Sequence, residues 1–183
     1  MSKMRFKTIR SFTLVELMVV VGVIAVLAGL VLGGAGAVRQ RAARGQAKVE
    51  ISAIEAGLAR YHQDFGSYPV ATSITTNAAV YFPNTTLYYA AGQILFTNLW
   101  GASTYATTTG TLRKPYLDIP PKMAGTDRTP NYLIDPWGIP YGYFWNGTNS
   151  LYAVAAPDIW STGGQSGATT AQRNTNKWIT SWD

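Results

Sequence analysis

The chain has no cysteine in 183 residues and one histidine, His62. No disulfide can staple it, so its stability must come from packing or from a metal. A transition-metal site would lack its usual sulfur and imidazole ligands, and His62 reads as a surface residue of a helix. Catalytic signatures are missing as well. There is no Gly-x-Ser-x-Gly elbow, no phosphate loop and no paired histidine, and the nine acids are scattered without an evident acid-base pair. These absences argue against an enzyme. Proline is absent from residues 12 to 65, which permits one long helix. Charge is absent from Phe65 to Leu112, a stretch rich in Thr, Ala, Asn and Tyr. Within it, Leu87, Ala91, Leu95 and Leu99 at i, i+4 spacing predict a short helix inside 85–100, and 102–111 reads as loop.

Acids are scarce beside the fifteen basic residues, and the formal charge is +6. A nucleic-acid partner is not implied, because Lys3, Arg5, Lys7 and Arg10 all lie in the first eleven residues with no acid among them. The remainder is nearly neutral. Arg39, Arg41 and Arg44 form a basic patch without aromatic neighbours, which fits a membrane interface or a solvated helix face better than a nucleic-acid site.

What the chain does have is an uncharged apolar run from Leu17 to Val38. At ~1.5 Å per helical residue, about 22 residues reach the ~30 Å of a bilayer's hydrocarbon core. The basic lead would hold the N-terminus in the cytoplasm and place the C-terminal part in the periplasm or outside. An ordinary secretory signal has a shorter apolar core and ends in an Ala-x-Ala-like site, which does not stand out here. Glu16 lies one helical turn inside the apolar segment. An ionised carboxylate in lipid costs on the order of 2.5 to 3.5 kcal/mol and usually has a partner or a function. Glu16 therefore calls for a cation.

Beyond the run, Ala47, Ile51, Ile54, Leu58, Tyr61 and Phe65 recur at steps of three and four, one face of an amphipathic helix. Lys48, Glu50, Ser52, Glu55, Arg60, Gln63 and Asp64 fall elsewhere on the wheel and read as its wet side, with Arg60 and Asp64 as an i, i+4 pair. Gly29, Gly33, Gly34, Gly36 and Gly45 are points where the helix could bend, and Gly29 with Gly33 could serve close helix packing. The helix should end at Gly66, with Pro69 barring continuation.

About 140 residues follow the lead and the apolar run, enough for one domain with a modest core. Its C-terminal third is turn-rich. Asp135-Pro136-Trp137-Gly138 is turn chemistry, the aromatic run Tyr141 to Trp145 reads as a strand, and Asn146-Gly147 signals a hairpin to a second run, Leu151 to Ala156. Trp178 and Trp182 are placed to pack the tail back onto the sheet. The expected class is α+β: a long N-terminal helix packed on a small C-terminal antiparallel sheet with long loops.

Three sets of residues carry a family resemblance. The basic lead with Ser11-Phe12-Thr13-Leu14-Val15-Glu16 and the apolar helix resembles the type III signal of type IV pilins and type II secretion pseudopilins. The segment Ala53 to Asp64 running into Gly66-Ser67-Tyr68-Pro69, and the string Asp135-Pro136-Trp137-Gly138-Ile139-Pro140-Tyr141, resemble the major, G-type pseudopilins. The resemblance covers most of the chain except about residues 71 to 112. It implies the pilin fold and four parts: a leader at 1–11, a membrane and assembly half of the helix at 12–38, a periplasmic half at 39–66, and a globular α/β head at 67–183. It implies cleavage by a membrane prepilin peptidase between Ser11 and Phe12 with N-methylation of Phe12. The family usually has Gly before the cut, where this chain has the small Ser11. Glu16 would neutralise the N-terminal amine of a neighbouring copy, which supplies its cation.

The resemblance also implies a calcium loop, with Asp158 and Ser161 in the corresponding place. Gln165, Ser166, Asn174 and Asn176 stand where the family usually has acids, and an Asx-type turn is the alternative. The function so implied is a structural subunit of a type II secretion pseudopilus. It would be anchored in the bacterial inner membrane by a single pass, with its head in the periplasm. Its partners would be other copies, minor pseudopilins, the prepilin peptidase, the inner-membrane assembly platform and the lipid bilayer. Two alternatives stay open: a type IV pilin for adhesion, motility or DNA uptake, and a membrane-tethered periplasmic domain that does not polymerise. Pilins often carry a C-terminal cysteine pair, which this chain lacks.

Overall fold

A computed structural model describes residues 12–71, 86–105, 113–148, 150, 152–153, 155–165 and 177–182; the side chains of 30–35 and 86 fall outside the description. The chain divides after Arg41 into two compact units, the second being Ala42–Asp183. One helix, α1, runs Leu14–Phe65 for 52 residues. None of the glycines along it ends the helix. Gly22, Gly29, Gly36 and Gly45 have open space where a side chain would stand. At the C-terminus Gly66 adopts φ 71° and donates its N–H to the His62 carbonyl at 2.8 Å. That is the left-handed stop expected of a glycine there. Among the described residues no helix is long and apolar enough to cross a membrane. Within the apolar run of the sequence, the side chains of 30–35 fall outside the description.

In the second unit, α1 contributes Ala47, Ile51, Ile54 and Leu58, all buried, as the periodicity predicts. Burying each of the three large aliphatic side chains contributes about 1.5–3 kcal/mol. The face stops at Tyr61. Phe65 is half-exposed and meets the Tyr61 ring at a tilt, with Tyr116 edge-on to both. The second helix, α2 (Thr86–Trp100), buries Tyr88, Ala91, Leu95, Phe96 and Leu99 in the same core. Gly57 of α1 lets the chains approach: a Cβ there would come within 3.3 Å of both Leu99 and Leu117 side chains.

Two small sheets complete the unit. A 3-10 turn at Pro121–Met123 leads into β1 (Ala124–Gly125), which pairs antiparallel with β2 (Tyr132–Leu133). The other sheet has the order β3-β4-β5, with β3 at Gly142–Phe144, β4 at Asp158–Ser161 and β5 at Ile179–Thr180, all antiparallel. α2 packs on β2 and β3. Gly142 sits opposite Trp160, and a Cβ there would meet the indole at 2.1 Å, so only glycine admits the ring. Trp178 stacks parallel to Trp160, and Trp182 meets it edge-on, which ties the tail to the sheet.

Three expectations are corrected. The strand after the Asn146-Gly147 turn is Asp158–Ser161 and not the run from Leu151 to Ala156. Of that run, 152–153 and 155–156 lie in bends, and 151 and 154 fall outside the described residues. The Asp158 carboxylate accepts the N–H groups of Tyr152 and Ala153, holding this stretch as a turn. Asp64 pairs with Lys114 at 3.4 Å and accepts the Tyr116 hydroxyl at 2.8 Å, rather than meeting Arg60. Glu50, assigned to the wet side of the helix, is only 6% exposed.

Candidate functional site

Two places gather the residues to which function was assigned. The first is the start of α1. Ser11 lies outside the described residues, and Phe12 is 76% exposed. Thr13 caps the helix: its hydroxyl accepts the Glu16 N–H at 3.2 Å, while its own N–H and hydroxyl both donate to Glu16 Oε2 at 3.0 Å. This reciprocal arrangement is a capping box, and it satisfies helix-end groups that would otherwise lack partners. The signal was present in the spacing Thr13-x-x-Glu16. The box swings the Glu16 carboxylate back toward the N-terminus and leaves Oε1 without a hydrogen bond among the described residues. From Leu14 to Leu27 the large apolar side chains are all more than half exposed. Such a surface is far larger than a soluble monomer shows and calls for cover.

The second place is the junction of the Asp135 turn with β4. Asp135 Oδ1 accepts the N–H groups of Trp137 and Ile139 at 3.0 and 2.9 Å, and Oδ2 accepts the Ser161 hydroxyl at 2.6 Å. Gly138, at φ 77°, donates its N–H to the Asp135 carbonyl and closes the turn. The Asp-Pro-Trp-Gly string therefore works as a turn whose acid also grips the neighbouring strand. Asp135 is 2% exposed. Burial pushes its carboxyl above the ordinary aspartate range, against its three hydrogen bonds, and nearby Glu50 pushes the same way. Glu50 accepts the Tyr141 hydroxyl at 2.7 Å and the Gln46 amide at 2.7 Å. Among the described residues neither acid has an ion pair. Burial and the adjacent Glu50 carboxylate hold the Tyr141 phenol far above its ordinary range.

Asp158 and Ser161 are the first and last residues of the four-residue strand β4 but face different partners. Both Asp158 oxygens accept backbone N–H groups, from Tyr152 at 3.1 Å and Ala153 at 2.9 Å, and Ser161 serves Asp135. In the following loop Thr162 donates to the Gln165 carbonyl, and the Gln165 amide donates to the Thr162 carbonyl. Ser166, Asn174 and Asn176 lie outside the described residues. Calcium takes six to eight oxygens, several of them carboxylate. The described donors do not fit it, because each is committed to a hydrogen bond within the chain. Among the described residues no three of His, Cys, Asp and Glu stand together as a metal group.

Comparison with known proteins bears on the first place. Residues 7–32 match the prokaryotic N-terminal methylation motif. The match supports a type IV pilin-like protein. The fold agrees, a long helix packed on small antiparallel sheets. No curated protein and no solved structure matches the chain. In a type IV pilin-like chain this motif implies processing by a prepilin peptidase and pilin-like assembly. The exposed apolar surface of α1 and the capped Glu16 fall inside the matched segment.

Proposed function

We propose that this type IV pilin-like protein is a structural subunit of a type II secretion pseudopilus. Cleavage between Ser11 and Phe12 would free the Phe12 amine for methylation. The Glu16 carboxylate, aimed toward the helix start by Thr13, would take a neighbouring copy's amine as its cation and so set the axial register of the filament. Before assembly the apolar run to Val38 would be covered by the inner membrane in a single pass with the head in the periplasm, and afterwards by other copies. Subunits added at the assembly platform would lengthen a short filament, with minor pseudopilins as partners, that pushes folded cargo outward. The protein has no catalytic role in this reading.

The observation that carries the secretion branch is the Asp135 to Tyr141 segment, whose residues resemble the G-type signature and whose acid ties the turn to β4. The test is a strain lacking the gene. Secreted enzymes should accumulate in its periplasm, and wild-type protein but not Glu16→Ala should restore export. Normal export together with lost adhesion, motility or DNA uptake would replace this reading with the pilin one.

A further inference from the structure

The described ends of the connection that follows β4 meet a cation, and that cation belongs to the chain. The Arg44 guanidinium, on α1, donates to the carbonyl oxygen of Lys177, the residue that leads into β5. The same carbonyl packs against Gly163 at the other end of the β4–β5 connection. A Cβ on Gly163 would come within 2.3 Å of the Lys177 oxygen and 3.9 Å of the Arg44 Nη2. Gly163 and Gly164 both have positive φ, 64° and 85°, which lets the backbone close in. Gly164 in turn lies against the Trp137 indole, where a Cβ would stand 2.8 Å from the ring. Gly163 also donates its N–H to Ser161 Oγ, which donates to Asp135. The described ends of the connection thus meet at one carbonyl, with a guanidinium on one side and the Asp135 turn on the other.

We infer that Arg44 takes the structural place of a metal ion at the described ends of this loop, and that the head folds and stays folded without calcium. A bound calcium ion stabilises a loop by gathering backbone and carboxylate oxygens that would otherwise repel. Here Asp158 is satisfied by two backbone N–H groups and Ser161 by Asp135 and Gly163. At the described C-terminal end of the loop the Lys177 carbonyl is the oxygen that Arg44 reaches. A charged donor on a neutral acceptor makes a stronger bond than a neutral pair does. This inference concerns the head alone and does not depend on the filament reading.

The experiment is thermal unfolding of the full chain in detergent, followed by tryptophan fluorescence, in excess EGTA and again in excess calcium chloride. The same midpoint in both supports the inference, and a midpoint that rises with calcium overturns it. Arg44→Gln should unfold several degrees lower under both conditions, and an unchanged midpoint would overturn the clamp. Should that variant fail to fold, calorimetric titration of calcium into the unaltered protein decides independently: no saturable heat supports the inference, and a saturable one refutes it.

Discussion

The two units of this chain use apolar side chains in opposite ways. From Leu14 to Leu27 the valines, leucines and isoleucine of α1 are exposed, whereas Ile51, Ile54 and Leu58 of the same helix are buried to within 3%. The composition is alike and the surroundings differ: the second stretch belongs to the core that α2 and the β3-β4-β5 sheet share, and the first is exposed among the described residues. Apolar surface left open at this scale contributes nothing to the stability of one subunit and is available to whatever covers it, lipid or another copy. Stability and assembly are thereby assigned to different segments.

Substitutions can break that division, and the largest effect should come from the head. Trp160 is fully buried, donates its indole N–H to the Tyr88 hydroxyl at 3.0 Å and stacks with Trp178. Trp160→Ala should cost about 3–5 kcal/mol, read in denaturant unfolding, while Val23→Ala should leave the unfolding midpoint unchanged and weaken only assembly. Equal losses from the two would erase the contrast. Next comes Tyr141→Phe, which leaves Glu50 Oε2 buried without its hydroxyl partner. A loss of about 1–3 kcal/mol is expected, and a neutral result would mean that water reaches Glu50.

These effects show which parts were legible in the residues. α1, its stop at Gly66, α2 and the Asp135 turn follow from local spacing and turn chemistry, because their determining contacts lie within a few positions. Glu50 was misplaced because its burial depends on Tyr141, 91 positions away. Asp64 likewise finds Lys114 and Tyr116 at separations of 50 and 52, beyond the reach of a helix wheel. β1 and β2, two residues each, are too short to show a period. At the functional end, Thr13 was readable from its spacing to Glu16, while the grip of Asp135 on Ser161 needed the fold to bring β4 alongside.

A pH series sharpens the comparison further. The folded pKa of Asp135 is raised by burial. The stability it contributes is therefore fully present below the ordinary aspartate value and is lost as pH rises through the raised value. Lowering the pH from neutral toward that value should raise the head's melting midpoint, and Asp135→Asn should flatten the slope. Asp64 works oppositely: the Tyr116 hydrogen bond lowers its pKa, so its smaller contribution holds above the ordinary value and is lost in stronger acid. The smallest effect belongs to the helix start. Thr13→Ala removes the cap and should cost about 1 kcal/mol of local helix stability, seen as faster amide exchange over the first turn with no change in the head.

The central claim is that the segment beginning at Phe12 is reserved for partners after processing. Its most direct test is the intact mass and N-terminal sequence of the protein isolated from cells that contain the prepilin peptidase. A mature chain beginning at N-methylated Phe12 is the predicted result, and it would place a free cation where Glu16 of another copy can meet it. A chain still beginning at Met1 in those cells would contradict the claim and leave a tethered, unassembled head.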